Sequence, residues 1–112
     1  MPPPAVVVLT GDLFFRAKIE AVAKATGVPV GFAGSAEEAR GASTVLVDLA
    51  DGDRAIEAVE ALKAGPEAPL VVAFGPHREG EAFKRAREAG ADRVLARSAF
   101  VERLPELLQT GG

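Results

Sequence analysis

Three short runs constrain this chain more than anything else in it: "AVVVLT" (5–10), "TVLVDL" (44–49) and "PLVVAF" (69–74) are almost continuously apolar and rich in valine. A strand with one wet face alternates apolar and polar residues, so a run that is apolar at nearly every position needs cover on both faces. These three are the expected central strands. Two weaker runs, "VPVGFA" (28–33) and "RVLAR" (93–97), contain a proline, a glycine or charges, which an edge strand tolerates and a central one does not.

The segments between the runs carry helical spacing: Phe15, Ile19 and Val22; Ile56, Val59 and Leu62; Ala82, Phe83, Ala86 and Ala89. Gly27, Gly65 and Gly90 follow them where a left-handed residue closes a helix, and Gly41 does the same for the short "SAEEAR". Asp12 and Asp53 are expected to cap helices through their carboxylates, and Ser35 with Glu38 forms an S-x-x-E capping box. In "SAFVERLPELLQTGG", Phe100, Leu104, Leu107 and Leu108 keep apolar spacing, but Pro105 forbids one internal hydrogen bond. The last helix is therefore predicted to begin near Val101 to Arg103, or to kink.

The pattern is five repeats of strand then helix, with no internal sequence repeat. Right-handed crossovers then require a parallel sheet with helices on both faces. With the weak strands at the edges, the order is 2-1-3-4-5: an α/β, flavodoxin-like sheet whose site lies at the carboxyl ends of strands one and three. Asp48 falls at that switch point. At 112 residues the chain holds one domain, 1–112, of which the proline-rich 1–4 are expected to be a disordered leader.

Composition narrows the function. A net charge of −3 without a basic stripe argues against nucleic acid as a partner, because nothing would displace counterions from phosphates. With no cysteine, disulfides, thiolate metal sites and cysteine nucleophiles are excluded. No run is long enough to cross a membrane and the start lacks a basic signal region, so a cytoplasmic location is expected. The lack of Cys, Trp and Tyr and the single Met, beside abundant Ala, Glu, Arg and Pro, hint at a thermophilic source.

The segment "AGADRVLARSAF" is similar to the A-G-A-D-D-Y-L-x-K-P-F stretch of receiver domains of bacterial response regulators. "TVLVDLAD" resembles their third strand with its phospho-accepting aspartate, and "RAREAGAD" the end of their fourth helix. The resemblance spans Ala5 to about Gln109. It implies phosphoryl transfer to Asp48, assisted by an acid pair that holds Mg²⁺, a hydroxyl after the fourth strand and a lysine after the fifth. Carried over position by position, the acid pair falls on Thr10 and Gly11, with Asp12 one residue beyond. The hydroxyl falls on Phe74 with Gly75 beside it, and the lysine on Arg97. Ser98 and Ala99 stand where the cis-peptide proline is expected. Only the acceptor survives, and loss of anionic ligands weakens a site for a hard divalent ion. The chain therefore reads as a degenerate receiver, a pseudo-receiver.

Other motifs have simpler readings. "DLADGD" lacks the spacing and the closing glutamate of a calcium loop, and Asp51 and Asp53 serve more simply in a loop and a helix cap. "LTGDLF" is a glycine turn into a helix without either phosphate-binding glycine fingerprint. Asp12, Asp48, His77, Arg97 and Ser98 are expected on one rim, which admits a small-anion pocket. No hydrolytic triad can be assembled from them. Charges at Glu81 and Arg85, and at Lys84 and Glu88, mark a solvated helix face.

The expected function is thus a stand-alone receiver-like signalling module, not an enzyme, with no cofactor and no output domain after Gly112. It would act by protein contact through the face of residues 80–108. Phe83, Phe100, Val101 and Leu104 are the expected partner surface, incompletely covered because of Pro105, and a homodimer could use the same face. Two alternatives stay open: a working receiver with Mg²⁺ at Asp12 and Asp48, and an anion-binding or enzymatic domain using His77 and Arg97.

Overall fold

The computed structural model describes residues 5–75 and 80–111. The valine runs form β1 (Val6–Leu9), β3 (Thr44–Asp48) and β4 (Leu70–Gly75), with β2 (Val30–Phe32) and β5 (Arg93–Ala96) at the edges. All neighbours are parallel and the order is β2-β1-β3-β4-β5. The helices are α1 (Leu13–Thr26), α2 (Asp53–Lys63), α3 (Glu81–Ala89) and α4 (Arg97–Gly111). Residues 1–4 and His77 lie outside the described residues.

Strand side chains alternate between faces, which divides the core in two. Val7, Leu9, Val45, Val47, Val71 and Ala73 pack under α2 and α3. Val6, Val8, Leu46, Val72 and Phe74 pack under α1 and α4. The double cover explains why the three runs are apolar throughout. On one side, Lys63 Nζ bonds the Pro69 carbonyl at 2.9 Å and the Asp92 carboxylate at 2.7 Å, while Asp92 also accepts from Val71 N–H at 2.8 Å. That clamp ties the end of α2 to the starts of β4 and β5.

Four local expectations are corrected. "SAEEAR" forms no helix: residues 36–41 are consecutive turns, with Ala39 N–H shared between the Ser35 and Ala36 carbonyls at 3.2 and 3.1 Å, Arg40 on Glu37 at 3.2 Å and Ala42 on Ala39 at 3.2 Å. The buried Ala36, Ala39 and Ala42 recur every third residue, which suits these tighter i→i+3 bonds better than an α-helix. The capping contacts form all the same, with Glu38 N–H on Ser35 Oγ at 3.3 Å and Glu38 Oε1 accepting from Gly34 N–H at 2.6 Å.

Asp53 caps nothing. Gly52, at φ 70° and ψ −136°, takes the cap position after a 3₁₀ turn at Leu49–Asp51, and Asp53 Oδ1 pairs instead with Arg85 at 2.8 Å. Arg85 therefore reaches across to α2. Gly65 closes no helix either, since the residue that caps α2 after Lys63 is Ala64, in a right-handed conformation.

The last helix neither starts late nor leaves its apolar side bare. It runs from Arg97 through Pro105, and Phe100 and Leu104 are 0 % exposed. A proline inside a helix costs ~3 kcal/mol. Burying Phe100, Leu104, Leu107 and Leu108 stabilises by about 1.5–3 kcal/mol each, which outweighs that cost. Phe83 is buried on the opposite face and Val101 packs against the α1/α4 core. Of the expected partner surface, Phe83, Phe100 and Leu104 are thus core and Val101 is partly buried; on α4, packing on the sheet overrides the proline.

Candidate functional site

Alternation along β3 places Asp48 on the same face as Leu46, toward the first turns of α1 and α4. The side chain is 0 % exposed. A buried carboxylate needs partners for its oxygens, and the neighbouring strand end and loop supply two. Thr10, just past β1, donates its hydroxyl to Oδ2 at 2.7 Å, and Ala50 N–H donates to Oδ1 at 2.9 Å. Thr10 Oγ1 in turn accepts from Asp12 N–H at 3.1 Å.

The charge of Asp48 is met by Arg97. Its terminal nitrogen lies 3.4 Å from both carboxylate oxygens, and its other terminal nitrogen is 3.6 Å from Asp12 Oδ2. The guanidinium carbon sits 4.5 Å from the centre of the Phe15 ring, so a cation–π contact supports it from below. Arg97 Nε is buried without a hydrogen-bond partner. Asp12 caps α1: Oδ1 accepts from Phe14 and Phe15 N–H at 3.0 and 3.1 Å, leaving Oδ2 for the arginine.

Beneath this cluster, Phe74 stacks on Phe100 at 4.0 Å between ring centres and leans on Phe15 at 5.1 Å. Phe74 pairs in register with Asp48 across the sheet and puts a ring where the resemblance to receiver domains implies a hydroxyl. Gly75 beside it is crowded: a Cβ there would stand 3.1 Å from the Phe83 ring, which would have to shift by a few tenths of an ångström. Ser98 is exposed in the first turn of α4.

Asp51 stands on the other side of Asp48. Partial burial raises its pKa, and the Asp48 charge raises it further. A hydrogen bond from Gly11 N–H and the charge of Arg54 pull the other way. The structure thus gathers Thr10, Asp12, Asp48 and Arg97 into one bonded cluster, leaves Ser98 at its margin and puts Gly11 on Asp51. The Phe15 support was not foreseen, although an arginine and an aromatic at the two helix starts of one rim are its signal. Among the described residues, no three histidine, aspartate or glutamate side chains come together as a ligand set for a metal ion.

No protein-family model matches the chain, and no curated protein matches its sequence. Solved structures do match in shape. A response regulator from Thermotoga maritima is 16 % identical, with 97 % of each chain covered and a TM-score of 0.75. The signal receiver domain of a protein from Mycobacterium tuberculosis is 18 % identical over 99 % of this chain and 98 % of that one, with a TM-score of 0.78. The receiver domain of DrrB, solved in a form activated with BeF₃, is 17 % identical with 97 % of each chain covered and a TM-score of 0.76. With its strand order and its two helical layers, the chain has the flavodoxin-like fold of response-regulator receiver domains.

Proposed function

We propose that this chain is a receiver-like signalling module that acts by protein contact and without phosphorylation of Asp48. The observation that carries the reading is the position of Arg97, whose guanidinium lies between the Asp48 and Asp12 carboxylates. A side-chain cation there neutralises the charge that a divalent ion would otherwise neutralise. The donor set does not fit Mg²⁺. Asp48 has both oxygens engaged by Thr10, Ala50 and Arg97, Asp12 is committed to the start of α1, and octahedral ligation needs free oxygens around the ion.

The same pairing speaks against an anion pocket built on Arg97. Two carboxylates already offset its charge, and an incoming anion would meet their repulsion. No helix among the described residues is long and apolar enough to cross a membrane.

Beryllofluoride and Mg²⁺ titrated into the labelled protein test the proposal by NMR. The expected result is no saturable shift at Thr10, Asp48 or Ala50. Saturable shifts there, lost in Asp48→Asn, would establish a working phospho-acceptor instead.

A further inference from the structure

Turns at 36–41 in place of a helix leave an open cleft of about 560 Å³ between themselves and α2, at the carboxyl ends of β1 and β3. That volume lies in the range of small-molecule sites, roughly 300–1,000 Å³. Its place is the switch point of the sheet, where open α/β folds hold ligands outside the strand ends. Part of the lining is apolar, with Leu9 and Val47 from the strands and Ala36, Ala55 and Ala58 from the two walls.

The rest of the lining carries both signs of charge. Glu37 and Arg40 stand on the turns, Arg54 and Glu57 on α2, and Asp51 in the 3₁₀ turn after β3, while Thr10 and Ser35 add hydroxyls. Among the described residues none of these five charges forms an ion pair within the chain. An anion alone would meet three carboxylates, and a cation alone two guanidiniums. A ligand that carries both signs suits such a lining.

Asp51 and Arg54 fix where the two signs belong. Their charges act on each other, yet no ion pair closes between them. Gly11 N–H bonds the Asp51 carboxylate, but burial and the Asp48 charge disfavour its ionised form, and a cation beside it would offset both. An α-amino acid carries its ammonium and carboxylate on one carbon, so a single small molecule can reach both residues and leave its side chain for the apolar lining.

We propose that this cleft binds one free α-amino acid with an apolar side chain, its ammonium on Asp51, its carboxylate on Arg54 and its side chain against Leu9, Val47 and the alanines. The inference goes beyond protein contact by giving the module a small-molecule stimulus, and it requires neither phosphorylation nor a metal at Asp48.

NMR titration of the labelled whole chain with L-leucine, L-methionine and L-phenylalanine tests it, followed at the amides of Gly11, Gly34, Ala36 and Ala58. The expected result is saturable shifts there with at least one of the three. The amide of that amino acid, which lacks the carboxylate, and its deaminated acid, which lacks the ammonium, should each bind at least about tenfold more weakly, the scale of one charge-assisted hydrogen bond. Asp51→Asn and Arg54→Met should weaken binding as much, and Lys84→Met on α3 should leave it unchanged. All three positions are exposed, and a dispersed spectrum confirms that each variant is folded. No saturation with any of the three amino acids, equal binding of the amide or the deaminated acid, an unaffected Asp51→Asn or Arg54→Met, or an equal loss in Lys84→Met would each overturn the proposal.

Discussion

The guanidinium of Arg97 lies 3.4 Å from both carboxylate oxygens of Asp48, which has no exposed surface. The pair joins the end of β3 to the start of α4, and Asp12 and the Phe15 ring hold the arginine from the α1 side. Charge neutralisation at the rim is therefore part of the fold itself.

Arg97→Ala should leave a buried carboxylate with only Thr10 and Ala50 as donors. The expected loss is about 3 kcal/mol in urea unfolding, because an uncompensated buried charge costs more than the pair contributes. Arg97→Lys should recover part of it, since an ammonium can meet Asp48 but cannot span to Asp12 with the same fork. A loss no larger than that of an ordinary surface substitution would show that Asp48 finds another partner.

Thr10→Val keeps the shape at the end of β1 and removes the donor at 2.7 Å from Asp48. It should destabilise by about 1–3 kcal/mol, the cost of leaving a buried acceptor short of one bond. Thr10→Ser should retain most of the stability. Chemical denaturation of the two variants side by side separates the hydroxyl from the packing of the methyl.

Asp12→Ala removes the side-chain bonds to Phe14 and Phe15 N–H and should cost ~1 kcal/mol. Asp12→Asn, which keeps the capping oxygen, should cost much less. Its residual effect, the lost attraction to Arg97, should shrink as salt is raised.

Two aspartates should give opposite pH dependences. Burial tends to raise the pKa of Asp92, but hydrogen bonds from Lys63 and Val71 N–H, with the Lys63 charge, outweigh it and the pKa falls below its ordinary value. Its stabilisation is complete above the unfolded pKa and is lost as pH falls through the folded one. Asp51 shifts upward through burial and the Asp48 charge. The native state then holds its proton more tightly, so stability declines as pH rises from the unfolded pKa through the folded one. Asp92→Asn should be destabilised at neutral pH with the deficit narrowing in acid. Asp51→Asn should be more stable than wild type at neutral pH, with the gain vanishing in acid. Thermal melts across the carboxylate range check both signs.

Gly90 closes α3 at φ 112°, and a Cβ there would stand 3.2 Å from Cβ and Cγ of Lys63. Gly90→Ala should cost more than 1 kcal/mol, through a backbone conformation that L-residues disfavour and through displacement of Lys63 from Asp92. Crystallography or NMR of the variant should find the 2.7 Å bond from Lys63 to Asp92 lengthened.

What the residues determined by themselves is the five strands in sequence, the helices after β1, β3, β4 and β5, the parallel sheet and the 2-1-3-4-5 arrangement. Each rests on periodicity: valine at successive positions means two covered faces, and Phe15 with Ile19 means one helical stripe. Asp12 was legible as a cap because the bond it makes is local, reaching only to Phe14 and Phe15. Wherever local signals competed with packing, the tertiary structure decided. Ser35 and Glu38 signalled a helix start, yet alanines at every third position settled into turns. Pro105 signalled a break, yet burial of Phe100 and Leu104 carried α4 through it and removed both from the surface. The distant partners of Asp48 belong to the second kind. The Ala50 bond is local, two residues along, whereas Thr10 and Arg97 reach Asp48 from 38 and 49 residues away; the strand order put them on one rim, but only the packed ends of β1, β3 and β5 decided that they bond.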